Sequence, residues 1–180
     1  MKPRGPLMIE HRLIEKMLDL VNRELDVIEK ERKVNTVFID TVVDFIRTYA
    51  DRTHHGKEED ILFKELEMKK LNSDDTRIMR ELVDEHMIAR NAVEDLVAAN
   101  NKYIGGNEKS IDVIIEKLTF LINFYPRHII KEDRVFFPNT ERYFTDSELN
   151  AMLIDFKEFD RKMIHEKYNN LYESLLKKYS

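Results

Sequence analysis

Hydrophobic residues recur along the chain at the three- and four-residue spacing of an α-helix, and no stretch shows the strict alternation of a β-strand. The first apolar stripe runs from Leu7 to Ile28, and a second begins at Phe38. Clusters of turn-forming and capping residues interrupt the stripes near positions 32–35, 72–75, 105–107 and 145–148. The pattern therefore predicts five long helices, over about 7–31, 36–70, 75–103, 108–139 and 145–178.

Short connections between long helices make consecutive helices antiparallel neighbours. The predicted fold is therefore all-α, an antiparallel up-down-up-down four-helix bundle with an appended C-terminal fifth helix. The 180 residues form one domain, 1–180, in which the bundle covers about 7–141 and the C-terminal helix about 145–178.

Composition removes several classes of function. The formal charge of −5, from 30 Lys+Arg against 35 Asp+Glu, repels phosphate backbones, so we expect no nucleic-acid partner. No apolar run reaches the ~20 residues that span a bilayer, so we expect no membrane partner. The N-terminus lacks the apolar segment of a signal peptide, which favours a cytoplasmic location. With 0 Cys, the chain has no cysteine nucleophile and no thiolate ligands for an iron–sulfur cluster.

The sequence contains one motif twice. His54-x-x-x-Glu58 and His128-x-x-x-Glu132 each place a carboxylate four residues after an imidazole, and each is followed by apolar residues that end in Phe. Residues four apart share one face of a helix, so each pair points in one direction. His55 and Glu59 are also four residues apart, so a helix register shifted by one residue would pair them instead of His54 and Glu58.

A second repeated element precedes each motif by one helix. Glu10-His11 and Glu85-His86 are the same dipeptide, and the separations of the histidines nearly repeat, because 54 − 11 = 43 and 128 − 86 = 42. The chain therefore has the form of an internal duplication of a helical hairpin. Glu10 and Glu85 are candidates both for hydrogen bonds to imidazole N–H groups and for plain surface charge.

Simple arithmetic predicts that these residues meet. Two residues of an antiparallel hairpin lie level when the loop is at their sequence midpoint. The midpoint is 32.5 for positions 11 and 54, 72 for positions 58 and 86, and 107 for positions 86 and 128, and all three fall in predicted loops. Four imidazoles and two carboxylates at one level of a bundle suit a pair of metal ions, because buried carboxylates are costly unless they are paired. Imidazole and carboxylate ligands suit iron, manganese or zinc. The predicted metal ligands are His11, His54, Glu58, His86, His128 and Glu132.

These motifs resemble the hemerythrin family in its HHE cation-binding branch, over roughly Leu7 to Glu141. The resemblance implies a four-helix bundle with two non-haem iron ions, in which the two motif carboxylates bridge the irons and the histidines cap them. An oxo or hydroxo bridge completes the expected centre.

The chain departs from this family at one ligand. Respiratory hemerythrins carry His-x-x-x-His on the third helix, and the second position here is Arg90. His55 is a candidate replacement, since some iron-sensing relatives use the residue after the second-helix histidine, and His165 and Tyr125 are weaker candidates. Asp133 stands where hemerythrins place an aspartate, but Glu132 mirrors Glu58 in the repeat and is preferred.

The resemblance implies a di-iron protein that binds or senses a small diatomic ligand, oxygen or nitric oxide. The missing histidine argues against simple reversible oxygen carriage. The alternatives are a di-iron oxidoreductase that reduces nitric oxide or peroxide, and an iron-handling or iron-sensing protein. The fifth helix is expected either to cover the bundle or to form the face of a homodimer.

Overall fold

A computed structural model describes residues 2–178 of the chain, with side chains described through Ile164 and at Lys167. All regular structure in this part of the chain is helical, with no strand among the residues described. The helices, α1 to α5 here, begin and end as follows: α1 is Arg4–Glu31, α2 covers 36–67, α3 is Ser73–Ile104, α4 covers 110–140 and α5 is Asp146–Lys178.

Two of these helices are not α-helical throughout. In α2, Thr36–Phe45 is α-helical, but Ile46–His55 and Glu58–Phe63 are π-helical before the helix closes with Lys64–Glu67. In α4, Ser110–Lys131 passes into the π-helical segment Glu132–Phe136 and ends with Phe137–Thr140. A short 3₁₀ turn, Glu141–Tyr143, then leads to α5.

Capping side chains define where three helices begin. The Asn35 side chain accepts the backbone N–H of Phe38, and the Asn72 side chain accepts that of Asp75. Thr145 and Glu148 form a reciprocal capping box, because each side chain accepts the other's backbone N–H, at 3.3 and 2.8 Å. These caps satisfy N–H groups that a helix start leaves unpaired, so the breaks read from the sequence are present in the structure.

The apolar core consists of two layers with a polar level between them. One layer lies towards the α1–α2 loop and includes Leu18, Leu96 and Leu118. The other lies towards the α2–α3 loop and includes Leu7 and Phe136. Each bundle helix contributes one or two histidines to the level between these layers, so the histidines are enclosed by apolar side chains above and below.

Side-chain contacts show in which direction α2 and α3 run relative to each other. Asn100 on α3 donates to Asp40 near the start of α2, whereas Arg90, ten residues earlier, contacts Asp51 and Glu59 further along α2. Helices α2 and α3 are therefore antiparallel. Helix α5 packs on the π-helical part of α2 and buries Phe156 against the bundle. Among the described residues, no helix has the length and apolar character needed to cross a membrane.

Candidate metal centre

The six residues with metal-ligand spacing in the sequence lie together at the polar level of the bundle. None is more than 2% exposed to solvent, and all four bundle helices contribute to the set. The imidazole Nε2 atoms point inwards to the two glutamates, which lie at the centre. The six are His11 on α1, His54 and Glu58 on α2, His86 on α3, and His128 and Glu132 on α4.

Distances within this set are those of atoms arranged around a common point. His11 Nε2 lies 3.1 Å from Glu132 Oε2, and His128 Nε2 lies 3.1 Å from Glu132 Oε1. On the other carboxylate, His86 Nε2 lies 3.4 Å from Glu58 Oε2. His54 Nε2 is 3.6 Å from Glu58 Oε1. Each glutamate therefore faces histidines of more than one helix.

The donor atoms divide into two groups, within each of which they lie no more than 4.8 Å apart. The first group holds two imidazoles and both carboxylates, from His11, His54, Glu58 and Glu132. The second group holds three imidazoles, from His55, His86 and His128. His55 is 2% exposed, and its ring stacks on that of His86 with centroids 3.8 Å apart. The structure thus adds His55 to the six predicted residues.

Several donor atoms in this site are buried with no hydrogen-bond partner among the described residues. They include both oxygens of Glu58, both oxygens of Glu132, and the Nε2 atoms of His86 and His128. A buried carboxylate without a partner is costly, and two adjacent ones are costlier still. Metal ions bound between them would satisfy these atoms, so the residues present fit a metal site.

Electrostatics separate the two carboxylates. Burial raises the pKa of Glu58 well above its usual range, and the neighbouring Glu132 raises it further. Burial acts in the same direction on Glu132, but the positive charge of His128 and contact with His11 outweigh it and hold the pKa of Glu132 well below its usual range. Burial also lowers the pKa of His54 and His55 well below the usual histidine value, which favours the neutral imidazoles that metal binding requires.

Each of the five rings turns its other nitrogen, Nδ1, towards a carboxylate. The five pairs are His11 with Asp133 at 2.7 Å, His54 with Glu10 at 2.9 Å, His55 with Asp51 at 3.3 Å, His86 with Glu59 at 2.6 Å and His128 with Glu85 at 2.8 Å. A carboxylate that accepts a hydrogen bond from Nδ1–H favours the tautomer whose Nε2 lone pair can bind a metal. This is the usual outer arrangement of metal-binding histidines.

Comparison with known families agrees with this geometry. The family model of the hemerythrin HHE cation-binding domain matches residues 6–140, three quarters of the chain. The chain belongs to the hemerythrin HHE cation-binding family. No curated protein and no solved structure matches it.

Against the hemerythrin pattern, the departure at Arg90 now has a structural explanation. The Arg90 guanidinium donates to Asp51 at 2.8 Å and to Glu59 at 2.8 Å. These are the carboxylates that accept from His55 and His86. Arg90 thus occupies the position of the missing histidine as a cation that holds two outer carboxylates, while His55 supplies an imidazole from α2.

The remaining candidates lie elsewhere. Asp133 is outside both donor groups, because it accepts from His11 Nδ1 and pairs with Arg12. Glu59 serves His86 rather than His55. Tyr125 is buried beside His55 with ring centroids 6.5 Å apart, and burial raises the pKa of its hydroxyl. The His165 side chain is outside the described residues.

Sequence reasoning missed Asp51 and Glu59 as partners of histidines. Asp51 stands four residues before His55, the spacing that signals a shared helix face, so this contact was available from the sequence. Glu59 directly follows Glu58, as Asp133 follows Glu132, and each serves a histidine from the other hairpin. That crossed pairing follows the duplication, but only the packed structure shows it.

Proposed function

We propose that this hemerythrin-like chain holds two non-haem iron ions at the polar level of an up-down-up-down bundle, and that the centre binds or senses a small diatomic ligand, oxygen or nitric oxide. One observation carries the proposal: two fully buried carboxylates lie side by side with none of their four oxygens hydrogen-bonded, surrounded by five imidazoles. Glu58 and Glu132 would supply the carboxylate oxygens that help to hold the ions. His11 and His54 would hold one ion, and His55, His86 and His128 the other.

When bound, the iron pair would supply redox-active Lewis-acid sites for a small ligand, and the chain's own residues prepare that environment. The outer carboxylates hold each imidazole in one tautomer and one orientation. The apolar layers on either side exclude bulk water, with Ile14 and Ala50 on one side and Leu62 and Phe136 on the other. A dry site favours a small neutral ligand over a charged one.

The two halves offer different numbers of nitrogen donors. The half formed by His11 and His54 has one imidazole fewer than the half formed by His55, His86 and His128. With the carboxylates shared, the two-histidine half leaves more coordination positions for an external ligand. This inequality supports binding of a small molecule rather than a purely structural role for the metal.

The deciding experiment combines metal content with gas binding. The full-length protein is purified without oxygen, loaded with ferrous iron and analysed for iron per chain, with two expected. Exposure to oxygen or nitric oxide should then produce near-ultraviolet and visible absorption that the metal-free protein lacks. An iron-loaded sample whose spectrum neither gas alters would refute gas binding. Sustained consumption of peroxide or nitric oxide with a reductant would indicate an oxidoreductase instead.

A further inference from the structure

The duplicated motif contains a lysine in both copies, and both lysines act on a histidine through a glutamate. In the first copy, Lys57 donates to Glu10, which accepts from His54 Nδ1. In the second copy, Lys131 donates to Glu85, which accepts from His128 Nδ1. The chain thus provides two equivalent arrangements of lysine, glutamate and histidine for comparison.

The two lysines differ in their surroundings. The Lys57 side chain is fully buried, whereas 28% of the Lys131 side chain is exposed. A buried ammonium is costly unless hydrogen-bond acceptors replace its lost water, and Lys57 has a second acceptor in Asp160, at 2.6 Å. Asp160 lies on α5, whereas the second acceptor of Lys131 is Glu81 on α3, at 3.4 Å, so among the described residues α5 supplies a charge only to the first copy of the motif.

The residue that precedes the first lysine allows α5 to approach closely. Gly56 precedes Lys57, and a Cβ placed there would lie 2.7 Å from the ring of Phe159 on α5. The corresponding residue in the second copy is Ile130, whose side chain is half exposed. The Phe156 ring of α5 also lies 5.9 Å from the Lys57 ammonium. Helix α5 therefore covers one copy of the motif closely enough that a side chain at position 56 would require the Phe159 ring to move.

We propose that α5 positions His54 through Asp160, Lys57 and Glu10, and so makes the two halves of the centre unequal. Asp160 and Lys57 are positioning residues, since neither contacts the donor groups themselves. With both carboxylates engaged, the ammonium holds Glu10 in place, and Glu10 holds the His54 ring. The consequence for metal rests on the proposed function: α5 stabilises the ion in the His11–His54 half without acting on the other.

The test on iron-loaded protein compares Asp160→Asn with Glu158→Gln, an exposed position on the same helix. Loss of a direct outer-shell partner typically costs 10–100-fold in metal affinity, and Asp160 is further from the ligand, so we expect about three- to tenfold. In a chelator competition, D160N should release one of its two irons about three- to tenfold faster. The second iron, and both irons of E158Q, should match the wild type.

Two results of that competition would overturn the inference. One is equal release from D160N and E158Q, and the other is acceleration of both irons of D160N to the same extent. Lys131→Met provides the mirror test, because it should accelerate release of the other iron. If K131M and D160N act on the same iron, the assignment of α5 to the His54 half is wrong.

A metal-free measurement separates this inference from the proposed function. In protein labelled with ¹⁵N-histidine, the Nδ1 proton of His54 is protected by Glu10, and that of His128 by Glu85. Asp160→Asn should speed solvent exchange of the His54 proton severalfold and leave the His128 proton unchanged. Unchanged exchange at His54 would refute the role of α5 even if the protein binds two irons. Failure to bind iron would instead refute the proposed function.

Discussion

At the scale of single residues, the centre consists of layers of acidic and basic side chains that alternate outwards from the two central carboxylates. Inner imidazoles surround Glu58 and Glu132, outer carboxylates accept from the imidazoles, and cations neutralise the outer carboxylates. Each of the five outer carboxylates also pairs with an arginine or a lysine, while the central oxygens have no hydrogen-bond partner among the described residues. In the metal-free protein, burial of the two central carboxylates therefore destabilises the folded state.

Replacing Glu58 with glutamine should stabilise the metal-free protein. The change removes one of two adjacent buried carboxylates and gives Glu132 an amide N–H to accept, relieving a penalty of about 1–3 kcal/mol. We expect the melting temperature without metal to rise by about 2–12 °C. Glu65→Gln, at an exposed position of the same helix, should leave it unchanged. A lower melting temperature for E58Q than for E65Q would contradict this account.

Replacing His55 with glutamine tests the imidazole that α2 supplies to the site, where the expected third-helix histidine is absent. His55→Gln removes one of three imidazoles from its donor group, so bound iron should fall from two per chain towards one. His165→Gln is the companion variant, because five imidazoles already complete the two groups and H165Q should retain both irons. Measured iron content decides the matter: full iron in H55Q, or a loss in H165Q, would exclude this ligand set.

At the scale of secondary-structure elements, the π-helical segments coincide with the site. His54, His55 and Glu58 lie in the two segments of α2, and Glu132 begins the segment of α4. A π-helix includes one more residue in each hydrogen-bonded turn, so successive side chains differ less in direction than the ~100° of an α-helix. That geometry lets the adjacent His54 and His55 both face the interior.

A second element-scale feature joins the end of the bundle to the start of α3. The buried Asp75 carboxylate accepts from Arg142 at 2.6 Å and from the Tyr143 hydroxyl at 2.7 Å. The same hydroxyl accepts the backbone N–H of Asn72. This network anchors the turn before α5, and burial opposes but does not prevent these partners from lowering the pKa of Asp75.

Replacing Asp75 with asparagine should weaken this anchor. Hydrogen bonds to a charged group contribute about 1.5–3 kcal/mol, and partial exposure of Arg142 reduces that value, so we expect a loss of about 1–2 kcal/mol. Because the folded-state pKa lies below 3.8, the contribution is present above about pH 4 and is lost as the pH falls further. Denaturant unfolding should therefore show the difference between D75N and wild type at pH 7 and little of it near pH 2.

The neighbouring Asp74 provides the control for this prediction. Its side chain is 83% exposed and lies in the same first turn of α3. Asp74→Asn should change the unfolding free energy by no more than about 0.5 kcal/mol, the usual limit for surface changes. Equal losses in D74N and D75N would attribute the effect to helix-end charge rather than to the Asp75 network.

At the scale of the whole molecule, metal binding and stability are coupled. The candidate ligands come from four helices that only the folded chain brings together, so a metal held by them would bind the folded state preferentially. The same ions would relieve the repulsion between Glu58 and Glu132, which lie between the two apolar layers. Metal binding should therefore stabilise the folded state of the entire bundle.

Ferrous iron should raise the melting temperature of the full-length protein. At a free concentration 100 times the dissociation constant, a ligand stabilises the folded state by about 2.7 kcal/mol. For a chain of this size the melting temperature should rise by about 5–10 °C, and a chelator should reverse the rise. Glu132→Gln, which alters a central carboxylate, should respond much less. Identical melting of the wild type with and without iron would exclude a folded-state metal site.

The sequence was sufficient for the parts of this structure that depend on local spacing. Hydrophobic period, caps and loop midpoints placed five helices and brought His11, His54, His86 and His128 to one level, because helix geometry converts sequence separation into height. It was not sufficient for the direction of side chains within that level. His55 was left open because an α-helical period turns it away from His54, and the π-helical segment removes that difference.

What the sequence determined by itself is six of the seven inner residues of the site, since the duplication repeats four imidazoles and two carboxylates at a fixed spacing, and His55 has no counterpart in it. What the tertiary structure decided is how the site is supported. Glu10 serves His54 and Asp133 serves His11, and four of the five outer carboxylates act across helices, whereas Asp51 acts along α2. Helix α5 lies over Lys57 and not over Lys131. Contacts between distant segments arise from packing and charge pairing in the folded chain, so the spacing of residues along the sequence cannot predict them.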